Sequence, residues 1–433
     1  MEIRDPVHGS IHITDEYIPL IRHKFFNRLG NIKQLGLSEN IFPGATHTRF
    51  IHSIGVMNIA NLAFLRLFKN TTLNSEFIRL RESFKLAGLL HDIGHAPLSH
   101  STETVMPMLS SLKIPTNFLS PKDQKIDRQA THEDYTIKTI VDSSFSDSFK
   151  LLEKKYGVSK AAVADLITGH TSTPEYFTVS GINYFPLLHQ MVSGELDCDR
   201  MDYLLRDSYF CGVSYGSYDL DWLLDNLEIC PENQTAYLGI NERAVVTFDD
   251  FLLSRYHIFL MVYFHYRAVC LEQLLYKYFK SSPGEYAIPS DIEEYVHHDD
   301  YHLMKILRNS QNRYAQSIVK NEVPQKIFES FNEQQLQTLE NIQKYLEREN
   351  IEYIRSSSQG RLSKYYVDEN THGKFPMKVA RKLFGSNTVH YTNISESTDL
   401  FTKFAKSHGV NRLHCDFDQL SSAQQKELLK LIK

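Results

Sequence analysis

The chain is poor in the features that mark a disulfide scaffold. Its five cysteines (Cys198, Cys211, Cys230, Cys270 and Cys415) are odd in number, scattered and without a CxxC spacing. That argues against both a disulfide framework and a zinc ribbon. Long apolar runs are missing too, none approaching the ~20 residues that span a bilayer. The N-terminal MEIRDPVHG is charged from its second residue, unlike a signal peptide. A net charge of -5 lacks the basic excess of a protein that coats nucleic acid. Internal repeats and low-complexity tracts are also absent. What remains is 433 residues, 42% hydrophobic and 23% charged, enough for a large domain with an appendage or for two domains. The expectation is a reduced, soluble, cytoplasmic protein with no membrane or nucleic-acid partner.

Apolar periodicity predicts a mostly α protein over the first 280 residues. Ile18, Ile21, Phe25, Phe26, Leu29, Ile32 and Leu35 recur near a helical period, as do Ile51, Ile54, Ile59, Leu62, Leu65 and Phe68. Segment 82–93 is apolar on nearly all sides, which predicts a buried central helix ending at Gly94. Helical patterning returns over 132–141, 158–169, 185–210 and, rich in aromatics, 249–280. Runs at 237–240 and 244–248 flank Asn241-Glu242 and predict a small β-hairpin. Beyond a soft boundary at 325, residues 326–433 read as a small α+β appendage, with a charged helix at 335–349, a loop at 355–364 and β-like runs at 365–367 and 388–391.

The chemistry concentrates in four places. HDIGHAPLSH (91–100) sets His91, Asp92, His95 and His100 within ten positions at the end of an apolar stretch. Burying an adjacent imidazole and carboxylate is costly without partners, and a divalent metal is the obvious one. In HTRFIHS (47–53), Arg49 and His52 are three apart and project from one helical face. His132-Glu133 opens a later helix. The run ELDCDRMDYLLRD (195–207) holds Asp199, Asp202 and Asp207 beside Arg200 and Arg206, either a salt-bridge lattice on an exposed helix or a metal carboxylate followed by phosphate-binding cations. His297-His298-Asp299-Asp300, a second His-Asp pair, reads as a solvated loop.

With DPVHGSI (5–11), FNRLGNIKQLG (26–36), THTRFIHSIGV (46–56), LLHDIGHAPLSHSTE (89–103), HE (132–133), ELDCDRMDYLLRDSYFCGV (195–213) and the trio Arg255, Tyr263 and His265, roughly residues 1–290 resemble the HD-domain phosphohydrolases. The nearest branch is the deoxynucleoside triphosphate triphosphohydrolases of the SAM-and-HD-domain type. That resemblance implies a helical HD core and a divalent ion (Mn, Fe, Mg, Zn or Ni) held by His52, His91, Asp92 and Asp199. It implies a catalytic group of His95, His100, Glu103, His132 and Glu133. Substrate contacts would come from Gln34, Leu35, Arg49, Arg200, Tyr203, Asp207, Arg255, Tyr263 and His265, with Arg206 a further phosphate ligand. Water would attack the α-phosphorus of a deoxynucleoside triphosphate, releasing deoxynucleoside and triphosphate. The alternative is another nucleotide phosphohydrolase: a nucleotidase, pyrophosphatase or phosphodiesterase. A homo-oligomer, dimer or tetramer, is also implied.

The chain departs from this family in places. Glu103 stands where relatives usually carry Asp, and Arg200 where they often carry Lys. Arg22, Asn27 and Gly30 occupy positions where eukaryotic relatives place Asp, Gln and Arg to read a guanine activator, so the same activator is not expected at that site. With the resemblance starting at Asp5-Pro6, a SAM-like domain ahead of it is not expected. Residues 354–385 carry Arg355, Arg361, Lys364, Lys374, Lys378, Arg381 and Lys382, a solvated face or, as the sharper hypothesis, an inter-subunit phosphate site.

Overall fold

Two antiparallel helices carry the middle of the fold. The first, α1 (Arg49–Leu67), follows Thr48 in extended conformation. The second, α2 (Ser75–Leu90), is capped by Asn74, whose side chain accepts from Phe77 N at 3.0 Å. Both bury apolar side chains on almost every face, so they form the centre of the molecule and not its surface. The structure, a computed structural model, describes residues 1–432 except 121, 172, 333, 334, 361–376, 384, 386, 387, 399 and 401–407.

Around this pair lie α3 (His132–Val141), α4 (Phe185–Ser193), α5 (Cys198–Cys211), α6 (Val245–Ile258), α7 (Tyr266–Ser281) and α8 (Asp300–Asn309). The mostly α architecture read from periodicity is what the structure has. Helix α3 starts in a reciprocal capping box between Thr131 and Asp134. Helix α5 starts on Asp197, which accepts from Arg200 N at 2.8 Å, and stops at Gly212. It crosses α1 closely at Gly55, where a Cβ would meet Asp202 Oδ1 at 2.0 Å. Only glycine permits that crossing.

Several local expectations are corrected. Segment 15–35 is a chain of short turns, because His23 is extended (ψ 145°) and splits Ile18–Ile21 from Lys24–Arg28. Segment 82–93 is only the last part of a helix that begins at Ser75 and ends at Leu90. The 185–210 stretch is two helices, parted at Gly194. The hairpin pairs β1 (Leu227–Glu232) with β2 (Thr235–Asn241), turning at Asn233 and Gln234, both with positive φ. Such a two-residue turn matches the strand twist, whereas 244–248 belongs to the start of α6. The single helix expected over 249–280 is bent by 61°, because a wide π turn, Phe259–Tyr263, ends α6.

The tail is divided between two bodies. Strands β3 (Gln325–Ser330), β7 (His408–Cys415) and β4 (Tyr353–Gly360) form one antiparallel sheet in the order 3-7-4. Helices Leu336–Arg348 and Ser422–Ile432 accompany it, with a core of its own around Leu339, Leu346, Leu413 and Leu428. By contrast β5 (Lys378–Lys382) runs parallel to β2 and carries β6 (Val389–Asn393) beside it. Met377, Val379 and Ile394 thereby join the main core, so residues 326–433 are not one separate appendage. Residues 355–360, expected as loop, are strand; the rest of that loop and the 365–367 run lie outside the described residues.

Candidate active site

The end of α2 decides the geometry. Leu90 is its last helical residue and His91 its C-cap, so His91-Asp92 is delivered at the buried end of a core helix beside α1. His52 comes from the first turns of α1 and Asp199 from the first turn of α5. One ligand atom from each of His52, His91 and Asp199 falls within 4.8 Å of the others. His52 Nε2 lies 3.0 Å from Asp199 Oδ1, and His91 Nε2 lies 3.5 Å from the same oxygen. Asp92 stands at the edge, 3.3 Å from His91 Nε2 and 3.5 Å from His52 Nε2, with Oδ2 paired to Arg49.

The donor chemistry fits a divalent cation. His52 Nδ1 donates to Asp202 Oδ2 at 2.7 Å and His91 Nδ1 donates to Gly88 O at 2.8 Å. With both Nδ1 positions committed, each buried Nε2 turns toward Asp199 without a well-formed hydrogen bond there, a position for a proton or for a metal ion that displaces it. That is how metal-ligating imidazoles are oriented. Burial lowers the His52 pKa, but Asp199 and Asp202 outweigh it and hold the ring at about 10. The pocket is short of positive charge, which a cation supplies.

Asp202 anchors a buried lattice. It accepts from His52, from His8 Nε2 at 2.6 Å and from Arg206 Nε at 2.7 Å, while Arg206 also donates to Asp5 at 2.9 Å. Arg206 is fully buried in this lattice, which corrects its expected role as a phosphate ligand. The DPVHG segment thereby acquires a purpose that sequence reasoning did not assign: Asp5 and His8 brace the carboxylate that orients His52. Of the two readings of the acidic run, Asp202 and Arg206 take the salt-bridge one, but inside the protein.

A second group lies next to the first. His95, His100 and His132 also bring one ligand atom each within 4.8 Å of the others. The rings of His95 and His132 stack with centroids 4.0 Å apart. His132 Nδ1 donates to Glu103 in a short hydrogen bond, and His100 Nδ1 donates to the same carboxylate at 3.1 Å. Burial raises the Glu103 pKa, but its bonds to His100 and His132 more than reverse this and keep the carboxylate ionised. His95 Nε2 reaches Asp92 Oδ1 at 3.1 Å, joining the two groups. Burial, then Arg49 and His132, push the His95 pKa well down.

One cavity of about 690 Å³ covers both groups. Its lining includes Gln34, Leu35, Arg49, Glu133, Arg200, Tyr203, Asp207 and Tyr263, and also Ser38, Ser99, Phe259, Phe264, Glu272, Gln273, Ser357 and Ser358, which sequence reasoning missed. Asp207 is held by His47 Nε2 at 2.7 Å and by the Tyr263 hydroxyl. Besides Arg206, two expected pocket residues do not line the cavity. Arg255 pairs with Glu195 at 2.7 Å, and His265 caps α7 by accepting from Arg267 N. The cation complement is correspondingly thin, since Arg49 is paired with Asp92 and Arg200 with Asp197.

Residues 49–207 match the HD domain family. The chain carries an HD domain. An uncharacterised protein of Bacillus subtilis is 32% identical over 265 residues, 60% of this chain and 51% of that one. The deoxynucleoside triphosphate triphosphohydrolase SAMHD1 homologue of Dictyostelium discoideum is 26% identical over 331 residues, 74% of this chain and 57% of its own length. The chain thus spans little more than half of these curated relatives. A crystal structure of a hypothetical protein from Aquifex aeolicus aligns at TM-score 0.74 and 26% identity, with 99% of both chains covered. That of a phosphohydrolase from Bacteroides thetaiotaomicron aligns at 0.67 and 21% identity, a likeness of fold alone. Helix α1 is long and apolar enough to cross a membrane, but Arg49 and His52 are buried on it and it packs in the centre of the core.

Proposed function

We propose that the chain is a metal-dependent phosphohydrolase acting on nucleotides, with deoxynucleoside triphosphates as the first substrate class to test. The observation that carries this reading is the adjacency of the His52, His91 and Asp199 cluster to the His95, His132 and Glu103 group under one cavity. His52, His91 and Asp199, with Asp92, would hold a divalent cation, which supplies Lewis-acid charge against phosphate oxygens. Glu103 fixes the Nδ1 proton of His132, leaving Nε2 to exchange a proton with the reacting group. His95 and His100 would offer donors to phosphate oxygens. Tyr203 and Tyr263, with ring centroids 6.3 Å apart, and Asp207 would flank the sugar and base.

A second reading draws on the cavity's charge. Asp92, Asp197, Asp199, Asp207, Glu133 and Glu272 line it against Arg49 and Arg200. A triphosphate entering such a cavity needs divalent cations of its own, whereas a monophosphate or phosphodiester needs less compensation. The distinguishing experiment incubates the protein with each deoxynucleoside triphosphate and Mn or Mg and identifies the phosphate product. Triphosphate supports the first reading; orthophosphate or pyrophosphate moves the assignment to a nucleotidase or pyrophosphatase. Loss of all hydrolysis on chelation, restored by one metal, is expected on either. A homo-oligomer and a cytoplasmic location belong to the same reading, and sedimentation velocity tests the first of them.

A further inference from the structure

Residues 297–300, expected to be a solvated loop, and Tyr295 just before them are instead bonded to the backbone beneath the histidines of the proposed site. The Tyr295 hydroxyl donates to Gly94 O at 2.8 Å. Arg28, stacked on the Tyr295 ring at 4.2 Å, donates to His95 O at 2.6 Å and to His298 O at 2.8 Å. Asp300 is 5% exposed, and each of its oxygens takes one backbone N–H: Leu98 N at 2.7 Å and Lys33 N at 2.9 Å.

These contacts converge on a strained turn. Leu98 (φ 55°) and Ser99 (φ 58°) are consecutive non-glycine residues in the left-handed region, between His95 and His100. Such a conformation persists only where its surroundings hold it. Gly36 is packed against the same turn, since a Cβ there would lie 3.0 Å from Leu98 O. Ser99 Oγ donates to Lys33 O at 3.0 Å and accepts from Arg49 Nε at 2.9 Å. The chemistry selects a carboxylate at position 300. Two converging N–H groups need two acceptor oxygens, whereas an amide would turn its own NH₂ against one of them.

We propose that Asp300 is a positioning residue that fixes the Leu98-Ser99 turn and so sets His95 and His100 against His132 and Glu103. Its consequence for turnover rests on the hydrolase reading above; its consequence for histidine geometry does not. The segment lies outside residues 49–207, so the match to the HD domain says nothing of it.

The test compares the full-length protein with its Asp300→Asn variant by amide hydrogen exchange, by NMR of labelled histidines and by steady-state kinetics. Faster exchange is expected in peptides covering 31–36 and 96–101, with helix Ser422–Ile432 unchanged. The His95 and His100 ring signals should shift as the stack on His132 loosens. Turnover should fall roughly 10- to 100-fold, with KM within about threefold and metal content unchanged, a split that general destabilisation would not give. Unchanged exchange or unchanged histidine signals overturn the proposal, as does wild-type kcat in a variant whose turn has loosened. If neither protein hydrolyses any phosphoester, the hydrolase reading falls while exchange and histidine signals still decide the positioning role. Should Asp300→Asn not fold, Asp300→Glu keeps both acceptor oxygens but displaces them by one methylene from Leu98 N and Lys33 N, and the same changes are expected at smaller size; their absence overturns the proposal equally.

Discussion

Gly94 is the position where one methyl group should separate metal binding from catalysis. A Cβ there would lie 2.2 Å from both His132 O and Thr136 N, and 2.7 Å from Thr136 Oγ1, while ordinary contact begins at 3.4 Å. The two nearest obstacles are backbone atoms of α3, so no side chain can rotate away. The Gly94→Ala variant must therefore displace the start of α3 by roughly 1 Å, and a shift of about that size can reduce turnover about 100-fold. Overpacking should also cost about 1–3 kcal/mol of stability. His52 and Asp199 lie on α1 and α5, and His91 and Asp92 follow the end of α2; none lies on α3, so metal stoichiometry should stay at the wild-type level. The assay is threefold: thermal unfolding, metal content after dialysis, and kcat with whichever phosphoester the protein turns over. Gly30→Ala is the control, since nothing lies within 4 Å of a Cβ there. If Gly94→Ala melts and turns over like Gly30→Ala, the close approach of α3 to the His-Asp turn does not constrain the relay, and the reasoning fails.

Three further outcomes are expected. Asp202→Asn should weaken metal binding about 10- to 100-fold, as loss of an orienting partner does; a metal titration with wild-type affinity would show that His52 is oriented without it. Arg206→Met should cost about 3–5 kcal/mol in denaturant unfolding, because Asp5 and Asp202 are left buried without their cation; a change within 1 kcal/mol would contradict the lattice. Burial raises the pKa of Glu82, but Lys85, Tyr17 and Arg81 reverse this and hold it below its ordinary value. A carboxyl lowered on folding adds stability that is present above its unfolded pKa and lost as pH falls through the folded one. Wild type should therefore lose stability relative to Glu82→Gln as pH drops below about 4.5, and parallel pH profiles would refute the assignment.

The floor of the candidate site was legible because coordination chemistry demands particular residue types at short spacing. His91-Asp92 at the end of an apolar stretch, and Arg49 with His52 on one face, could be read directly, and helix α1 was bounded to within a residue or two. Asp202 and Arg206 were not legible. An acidic, arginine-rich helix has the same composition whether its charges face water or one another, and only the crossing at Gly55 decides between them. The hairpin was displaced because Asn233-Gln234 and Asn241-Glu242 are both polar pairs between β-prone runs; φ > 0 at both turn residues, not polarity, selects the first. His297–Asp300 reads as a loop in sequence because its His-Asp pairing fits no motif, whereas in the fold Asp300 accepts two distant N–H groups.

What escaped sequence reading lies in the walls. Phe259 and Phe264, on either side of the expected Tyr263, reach the cavity only because a π turn replaces the regular end of α6, a distortion that recurs at functional sites. Glu272 and Gln273 are presented by α7 after the bend, and Ser357 and Ser358 by β4 of the small second sheet. All of these residues lie beyond 207, where the match to the HD domain ends. The residues that would carry the hydrolytic chemistry sit almost wholly inside that match, on elements whose spacing the metal dictates. Of the residues that would select a substrate, Arg49, Arg200, Tyr203 and Asp207 lie inside that match too, whereas the walls from the π turn, α7 and the small second sheet come from segments placed by packing and follow no motif. Assignment of chemistry and assignment of substrate therefore rest in part on different segments of this chain. Evidence for one transfers to the other only through a measured product.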